Sequence, residues 1–335
     1  MIITTNRQSE EVTHTLRYSF GGASGTIAEN VTDTATWTPP LLLASQIPSA
    51  TTGLCTILCD SYIGSNMIGT TQKMLTLTVP DTVVPTISAV TISEASAGIA
   101  EKFGAYIRTH SALTTKISAS GAQGSTISSY RSVLNSVTYT GDTFRSGFLN
   151  VAGENQMTVT VTDSRGRIAT AIKKFVVVDY STPSLTTFTA ERCNTDGSAA
   201  QLDGDKVRVG IVATASACDG KNLLTGKIYY RVRGDTDWIE AQELTFVGYA
   251  ISEGQLLLGQ TFNPLSSYDL KVSITDYFTT VEQTISIGTK RVLIDFYRDG
   301  SGIAFGKSAE RPNEVDFGWP IVLAEPLALE YGGTG

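Results

Sequence analysis

The sequence predicts an all-β protein in which several β-sandwiches follow one another along the chain. Three similar segments support this prediction, since each alternates apolar and small polar residues into an aspartate, crosses a turn-prone stretch and continues as a second alternating run. The first runs are residues 56–60, 159–163 and 272–276, and the second runs are residues 74–79, 172–178 and 281–287. The composition agrees, because β-branched residues dominate the apolar runs and no segment shows a convincing amphipathic-helix period.

The spacing of these segments gives the size of the repeating unit. The three aspartates, Asp60, Asp163 and Asp276, lie about 100 and about 110 residues apart. One immunoglobulin-like sandwich occupies about 100 residues, so we expect one aspartate in each domain. Prolines punctuate the joints at Pro80 to Pro85 and again at Pro183, where they stiffen the linkers by fixing φ.

These joints divide the sequence into four predicted parts. They are an immunoglobulin-like sandwich at 1–80, a second at 85–179, an immunoglobulin- or fibronectin-like sandwich at 183–288, and a β-hairpin and oligomerisation segment at 289–335. The first sandwich has fewer residues before its aspartate than the others. We therefore expect either that it lacks its opening strand or that the chain is an N-terminally trimmed piece of something longer.

The last part follows a different pattern from the sandwiches. Residues 292–298 and 302–306 are predicted to pair as strands around the tight turn that Asp299-Gly300 favours. The stretch from 315 to 335 is too apolar for a disordered tail, and lone chains rarely leave such segments uncovered. We therefore expect contacts between subunits here.

Charge and hydropathy argue against several classes of partner. The net charge is −7, and the 25 Lys and Arg residues are scattered without a basic block, so we expect no binding to nucleic acid. No apolar run approaches the ~20 residues that span a bilayer, and no signal-peptide core follows Met1. We predict no membrane insertion and see no export signal.

The four cysteines do not form an obvious disulfide framework. Cys55 and Cys59 are separated by four residues of a predicted strand, about 13 Å, which exceeds the ~7 Å that a disulfide allows. They are interpreted as small core residues made in a reducing compartment. Cys193 and Cys218 flank a loop-rich stretch, and whether they pair stays open.

Candidate catalytic and metal-binding residues are few. His14 and His110 are the only histidines, and His14 is interpreted as a strand-surface residue. The acidic group Asp196, Asp203 and Asp205 lacks the spacing of an EF-hand loop and fits ordinary turns. Asp235 and Asp237 are assigned to a solvated turn rather than to a pair of glycosidase carboxylates. We predict no catalytic residue, no cofactor and no metal site, and no enzymatic activity.

Aromatic and basic residues offer the remaining candidates for binding. Six aromatics are considered for stacking on a sugar ring, although core or interface packing is the preferred interpretation: Trp37, Trp238, Trp319, Tyr62, Tyr106 and Tyr130. The run Arg165-Gly166-Arg167 lies at a predicted hairpin tip and is assigned to a solvated turn rather than to an anion site. No binding residue is assigned.

Several segments together resemble the minor structural proteins of tailed phages of Gram-positive bacteria. They are residues 37–48, residues 88–95 with Gly104-Ala105-Tyr106, and residues 160–167. Residues 299–307 resemble the segment that closes the repeat region in that family, and Gly332-Gly333-Thr334-Gly335 is similar to a tetrapeptide of phage tail fibres. Family members carry further β-rich sequence before the region matched by residues 5–9, in agreement with the short first sandwich.

The resemblance implies a virion protein of the tail tip, baseplate or tail fibre, made in the host cytoplasm, which takes part in host attachment. It implies a homo-oligomer, a trimer in related fibres, that contacts other phage tail proteins. A host cell-wall polysaccharide or surface protein is the expected target of attachment. The alternatives are a bacterial cell-surface adhesin or carbohydrate-binding module with tandem immunoglobulin-like domains, and the accessory region of a cell-wall hydrolase.

Overall fold

The protein is described by a computed structural model that covers residues 1–199, 204–289, 293–306, 309 and 311–321. Strands form nearly all of the regular structure, and the predicted all-β class with immunoglobulin- and fibronectin-like sandwiches is confirmed. The chain divides into two compact units, Met1–Asp179 and Tyr180–Gly335.

The first sandwich lies at the start of the first unit. Its main sheet has the order β3-β2-β5-β6, and a short ribbon of β1 and β4 lies apart from that sheet. The strands are β1 (Ile2–Thr4), β2 (Val12–Phe20), β3 (Ala23–Val31), β4 (Thr34–Thr36), β5 (Thr52–Ile63) and β6 (Asn66–Thr78), with a 3₁₀ helix at Leu41–Gln46. The ring of Trp37 is buried in the core and stacks on Tyr18, with the ring centroids 5.2 Å apart.

The second sandwich completes the first unit. Its sheets have the orders β11-β10-β13-β14-β8 and β12-β9-β7. The strands are β7 (Thr86–Glu94), β8 (Tyr106–Ile107), β9 (Ala112–Ser120), β10 (Ile127–Leu134), β11 (Val137–Thr140), β12 (Thr143–Phe148), β13 (Gly153–Asp163) and β14 (Ile168–Val178). One five-residue helix, α1 (Ile99–Phe103), precedes β8; it is too short to show a helical period in the sequence.

The second unit contains the third sandwich. Its sheets have the orders β15-β16-β19 and β18-β17-β20-β21. The strands are β15 (Ser184–Cys193), β16 (Lys206–Thr214), β17 (Leu224–Val232), β18 (Ile239–Glu243), β19 (Ala250–Leu257), β20 (Tyr268–Asp276) and β21 (Thr280–Ile287). Alternation along β20 sends Leu270, Val272 and Ile274 into the core, where all three are almost completely buried.

A small C-terminal sheet follows in the same unit. It has the order β22-β23-β24, formed by β22 (Ile294–Phe296), β23 (Ile303–Phe305) and β24 (Val315–Phe317). The predicted hairpin is present, since β22 and β23 pair antiparallel around a turn in which Asp299 accepts a 2.9 Å hydrogen bond from the Ser301 N–H. Gly300 has a φ of +77°, the left-handed conformation that glycine adopts without strain.

The three segments that defined the repeat are antiparallel hairpins, β5–β6, β13–β14 and β20–β21. The three aspartates of these segments are all buried, but their hydrogen-bond partners differ. Asp163 and Asp276 each accept hydrogen bonds from two N–H groups of the following turn. Asp60 lies before the end of its strand and instead binds Thr70 and Arg17. The repeat is therefore structural, and its first copy deviates.

Candidate interaction surfaces

The turn between β13 and β14 carries an arginine that joins the first two sandwiches. Arg165 is buried, although it lies at a hairpin tip. Its guanidinium donates to the carbonyl oxygens of Ala44 at 2.7 Å and Ile47 at 3.3 Å in the first sandwich. It also donates to those of Ala122 at 2.7 Å and Gln123 at 2.6 Å in the second. One side chain therefore ties both sandwiches together.

Arg167, two residues later, holds the linker between these sandwiches. It donates to the carbonyl oxygens of Val79 at 2.7 Å and Val83 at 3.0 Å, and also to that of Pro80. An ion pair with the exposed Asp81 adds a contact at 3.2 Å. We use the name arginine joint for the two arginines together with the carbonyl groups that they bind.

The arginine joint corrects the interpretation of Arg165-Gly166-Arg167 as a solvated turn. The turn is present, with Gly166 at φ +79°, but both guanidinium groups are turned onto backbone carbonyls. Those carbonyls lie outside the strand ladders, in the 3₁₀ helix, in loops and in the proline linker, where the backbone supplies at most turn hydrogen bonds. Buried carbonyl groups need donors, and a guanidinium supplies five. The sequence signal was the arginine pair itself, whose partners were not identifiable.

An apolar pocket of about 430 Å³ opens beside the arginine joint in the first sandwich. It lies between the 3₁₀ helix, the end of β2 and the end of β6. Its lining is formed by Phe20, Pro39, Pro40, Leu41, Leu43, Ala44, Ile47, Leu77, Thr78, Val79 and Pro80. None of these lining residues is charged. The pocket is therefore either a packing defect or a site for an apolar group.

The outward side of the β18-β17-β20-β21 sheet presents aromatic and charged groups together. Strand register places Tyr229 beside Lys271, and Arg231 beside Asp269. Trp238, just before β18, lies over this surface with its ring centroid 4.4 Å from the Arg231 guanidinium and 5.0 Å from the Lys271 ammonium. We name this group of five residues the aromatic face.

Ion pairs fix the cations of the aromatic face. Arg231 contacts Asp269 and Lys271 contacts Glu282, each at 3.2 Å. The neighbouring Lys227 contacts Glu240 at 2.8 Å. The hydrogen bond from Ser286, together with the Arg231 guanidinium, lowers the pKa of Asp269, so this carboxylate stays ionised at neutral pH. The Tyr229 and Trp238 rings therefore lie against cations whose own positions are set by ion pairs.

The C-terminal sheet leaves most of its large apolar side chains exposed. Ala304 is fully buried within it, and Phe305 stacks on Phe317 with ring centroids 5.4 Å apart. The exposed set is Leu293, Ile294, Phe296, Val315, Phe317, Trp319 and Ile321. Such a density of exposed apolar groups is typical of an interaction surface. The Gly332-Gly333-Thr334-Gly335 end of the predicted segment lies outside the described residues.

The histidines do not assemble a reactive centre. His14 is buried rather than on the strand surface, because position 14 shares the inward face of β2 with Val12 and Leu16. Its Nδ1 lies 3.0 Å from the Ser61 hydroxyl. His110 lies half-buried in a turn of the second sandwich.

Of the acidic candidates that the structure describes, Asp196 lies in a turn, and the others lie in loops beside strands: Asp205, Asp235 and Asp237. Asp196 accepts hydrogen bonds from the N–H and hydroxyl groups of Ser198, at 2.9 and 2.6 Å. Asp235 and Asp237 are exposed between β17 and β18, and Asp203 lies outside the described residues. Among the residues that the structure describes, no three His, Cys, Asp or Glu side chains are grouped to hold a metal ion.

The six candidate aromatics separate into core and surface groups. Trp37 is buried, and Tyr106 and Tyr130 pack against the core of the second sandwich. Trp319 is exposed in the C-terminal sheet, whereas Trp238 is half-buried on the aromatic face and Tyr62 half-buried in β5. Trp238 is therefore the candidate that keeps both partial exposure and ordered polar neighbours.

None of the four cysteines forms a disulfide, which answers the question left open for Cys193 and Cys218. Burial raises the pKa of the Cys193 thiol, so this thiol is protonated at neutral pH and unreactive. Neither helix in the described part of the chain has the length and hydropathy needed to cross a bilayer.

A family model described as "Siphovirus protein of unknown function (DUF859)" matches residues 1–317. No curated protein matches the chain. Similar solved structures include the three N-terminal domains of the Highly Immunogenic Outer Capsid protein of bacteriophage RB49, at 13% identity, 85% of this chain, 90% of that chain and a TM-score of 0.30.

Two further similar structures come from other settings. A Ca²⁺-stabilized adhesin with which an Antarctic bacterium binds ice shares 15% identity over 89% of this chain and 72% of that chain, with a TM-score of 0.33. PcdhgB3 EC1-4 shares 10% identity over 86% and 66%, with a TM-score of 0.35. These likenesses concern the sandwich fold alone.

Proposed function

The chain belongs to the siphovirus protein family described as DUF859, of unknown function, and on this premise we propose that it is a structural component of the phage tail. In this role, as part of a tail fibre, tail tip or baseplate, it projects attachment elements toward the host surface and takes part in adhesion. The proposal includes no catalytic step, and its partners are other tail proteins and a polysaccharide or protein of a Gram-positive host.

The observation that carries the proposal is the arginine joint. The two prolines stiffen the linker only locally, whereas Arg165 spans the boundary with hydrogen bonds to both sandwiches. Arg167 further restrains the linker by binding its carbonyl oxygens. A protein that has to hold an attachment element away from its base benefits from such stiffness, while a flexible tether needs none of it.

The C-terminal sheet supports assembly of several copies. Its exposed phenylalanines, Phe296 and Phe317, are 65% and 45% accessible, and burying them between chains would gain roughly 2 kcal/mol for each fully covered ring. A homotrimer is the oligomer that we propose, because the resemblance to phage tail fibres implies a trimer; the exposed apolar sheet supports contact between copies without setting their number. The bacterial adhesin remains the second candidate, but membership in a siphovirus family favours the virion.

Immunogold electron microscopy of purified virions tests the proposed position. Antibodies raised against the third sandwich are expected to label the tail, with an antibody against the major capsid protein as the control for head labelling. Label confined to the capsid, or absence of the chain from blots of purified virions, would rule out the tail assignment. Binding of fluorescent full-length chain to Gram-positive cells tests adhesion separately.

A further inference from the structure

The aromatic face combines the features that recognise a sugar ring. In β17 and β20 the outward positions carry aromatic, charged or small polar side chains, while the inward positions carry the core residues Ile228, Leu270 and Val272. Two aromatic rings, Tyr229 and Trp238, lie on this outward side next to fixed donors and acceptors.

Strand register arranges these groups in rows across the sheet. One row runs from Trp238 to Arg231, Asp269 and Ser286, and the next from Glu240 to Tyr229, Lys271 and Thr284. Neighbouring strands are about 4.8 Å apart, which is close to the width of a pyranose ring. Arg231 and Lys271 already lie against one face of the Trp238 ring. A sugar ring would therefore stack on the opposite face, with its hydroxyl groups directed past the edge of the Trp238 ring toward the polar groups of the rows.

Charge pairing narrows the class of ligand. Lys227, Arg231 and Lys271 are each engaged by a carboxylate at 2.8 to 3.2 Å. A polyanion would have to break these pairs, and a cation would meet carboxylates that are already neutralised. Hydroxyl groups can add to such pairs without breaking them, because both partners keep unused hydrogen-bonding capacity.

We propose that the aromatic face binds a neutral saccharide, with a pyranose ring stacked on the face of Trp238 that Arg231 and Lys271 do not cover, and the paired charges around that ring hydrogen-bonded to the hydroxyl groups of the sugar. The inference rests on the proposed attachment function and gives it a site and a ligand class. Tyr229 supplies a second stacking surface one row away. The occupant is a carbohydrate chain rather than a protein, since the face offers no exposed aliphatic patch at these positions.

The test uses the full-length chain and defined oligosaccharides of glucose, galactose, rhamnose and N-acetylglucosamine, with heparin as a polyanionic probe. Titration calorimetry and tryptophan fluorescence report binding. At least one neutral oligosaccharide is expected to bind, and Trp238→Ala is expected to weaken that binding by about tenfold or more. Tyr229→Ala should weaken it less, and Trp238→Phe should retain most of it. Trp319→Ala, which removes an exposed tryptophan outside the face, is the matched control.

Three results would overturn the inference. They are no binding of any neutral oligosaccharide at about 10 mM, preference for heparin, or binding by Trp238→Ala equal to that of the unchanged protein. Thermal melting of each variant shows whether the third sandwich still folds. Antibody labelling of virions requires no ligand, so a chain that is found on the tail but binds no saccharide would defeat this inference and leave the proposed function standing.

Discussion

The guanidinium of Arg165 donates a 2.7 Å hydrogen bond to the carbonyl oxygen of Ala44, a residue 121 positions earlier in the chain. This bond crosses from the second sandwich to the first. Beneath it, Ala44, Val79 and Val83 form a small buried cluster that Ala122 contacts from the second sandwich. Polar and apolar contacts therefore combine to make one compact unit out of two sandwiches.

Replacing Arg165 by alanine should destabilise the first unit by about 2 to 4 kcal/mol, because several buried carbonyl groups lose a charged donor. Calorimetric melting of the full-length chain would show the transition of the first unit falling while that of the second unit stays in place. Arg145→Ala, at an exposed position on β12, is the matched control and should change neither transition. An unchanged melting profile for Arg165→Ala would contradict a stabilising joint.

Asp60 should make the stability of the first sandwich depend on pH in the acid range. The Thr70 hydroxyl, followed by the Arg17 guanidinium, lowers the pKa of Asp60 below its ordinary value. A carboxyl with a lowered folded-state pKa stabilises the protein above its unfolded-state pKa of about 3.9 and loses this contribution as the pH falls through the lower value.

Urea unfolding at a series of pH values below about 5 is therefore expected to show stability falling toward acid, and Asp60→Asn should flatten part of that slope. Thr70→Val, which removes the leading hydrogen bond to Asp60, should shift the loss to higher pH. A slope that is the same in Asp60→Asn would show that other carboxyl groups account for it.

Gly306 and Gly300 provide a matched pair of glycines in the C-terminal sheet. Both have left-handed φ values, +74° and +77°, so an alanine at either position costs about 1 kcal/mol of backbone strain. A Cβ at Gly306 would also clash with the Trp319 ring, whereas one at Gly300 meets open space.

Gly306→Ala is therefore expected to displace Trp319 and change its fluorescence, and Gly300→Ala is expected to leave that emission unaltered. Spectra recorded in a Trp238→Phe background would isolate the signal further. Equal spectral changes in the two alanine variants would mean that backbone strain alone accounts for the effect of Gly306→Ala. The contact with the Trp319 ring would then not be needed.

Oligomerisation should depend on the exposed apolar side chains of the C-terminal sheet. Light scattering is expected to show that deletion of residues 288–335 weakens or abolishes the oligomer while the sandwiches remain folded. The combined substitution of Leu293, Phe296 and Phe317 by serine should have the same effect, because it removes the apolar area without shortening the chain. Val247→Ser, at a position 87% exposed in the third sandwich, should not change the mass. A truncated chain that runs as the same oligomer would refute this prediction.

Local pattern was sufficient to predict the hairpins of the fold. Alternation of apolar and polar residues has the period of a strand, and the turn residues Asp163 and Asp299 use hydrogen bonds that span only two to four positions. His14 shows a limit of this approach, since a histidine was assigned to the surface by its type although its position in the alternation placed it inward. For His14, the position in the alternation therefore predicts burial better than the residue type does.

The sequence by itself determined the all-β class, the repeat and the hairpins, because these depend on interactions between residues close together in the chain. Only the tertiary structure decided what Arg165 and Trp238 do. The carbonyl partners of Arg165 lie 42 to 121 residues away, and Trp238 meets Lys271 through the register of three strands. Such contacts arise from packing of distant segments, for which neither composition nor periodicity carries a signal.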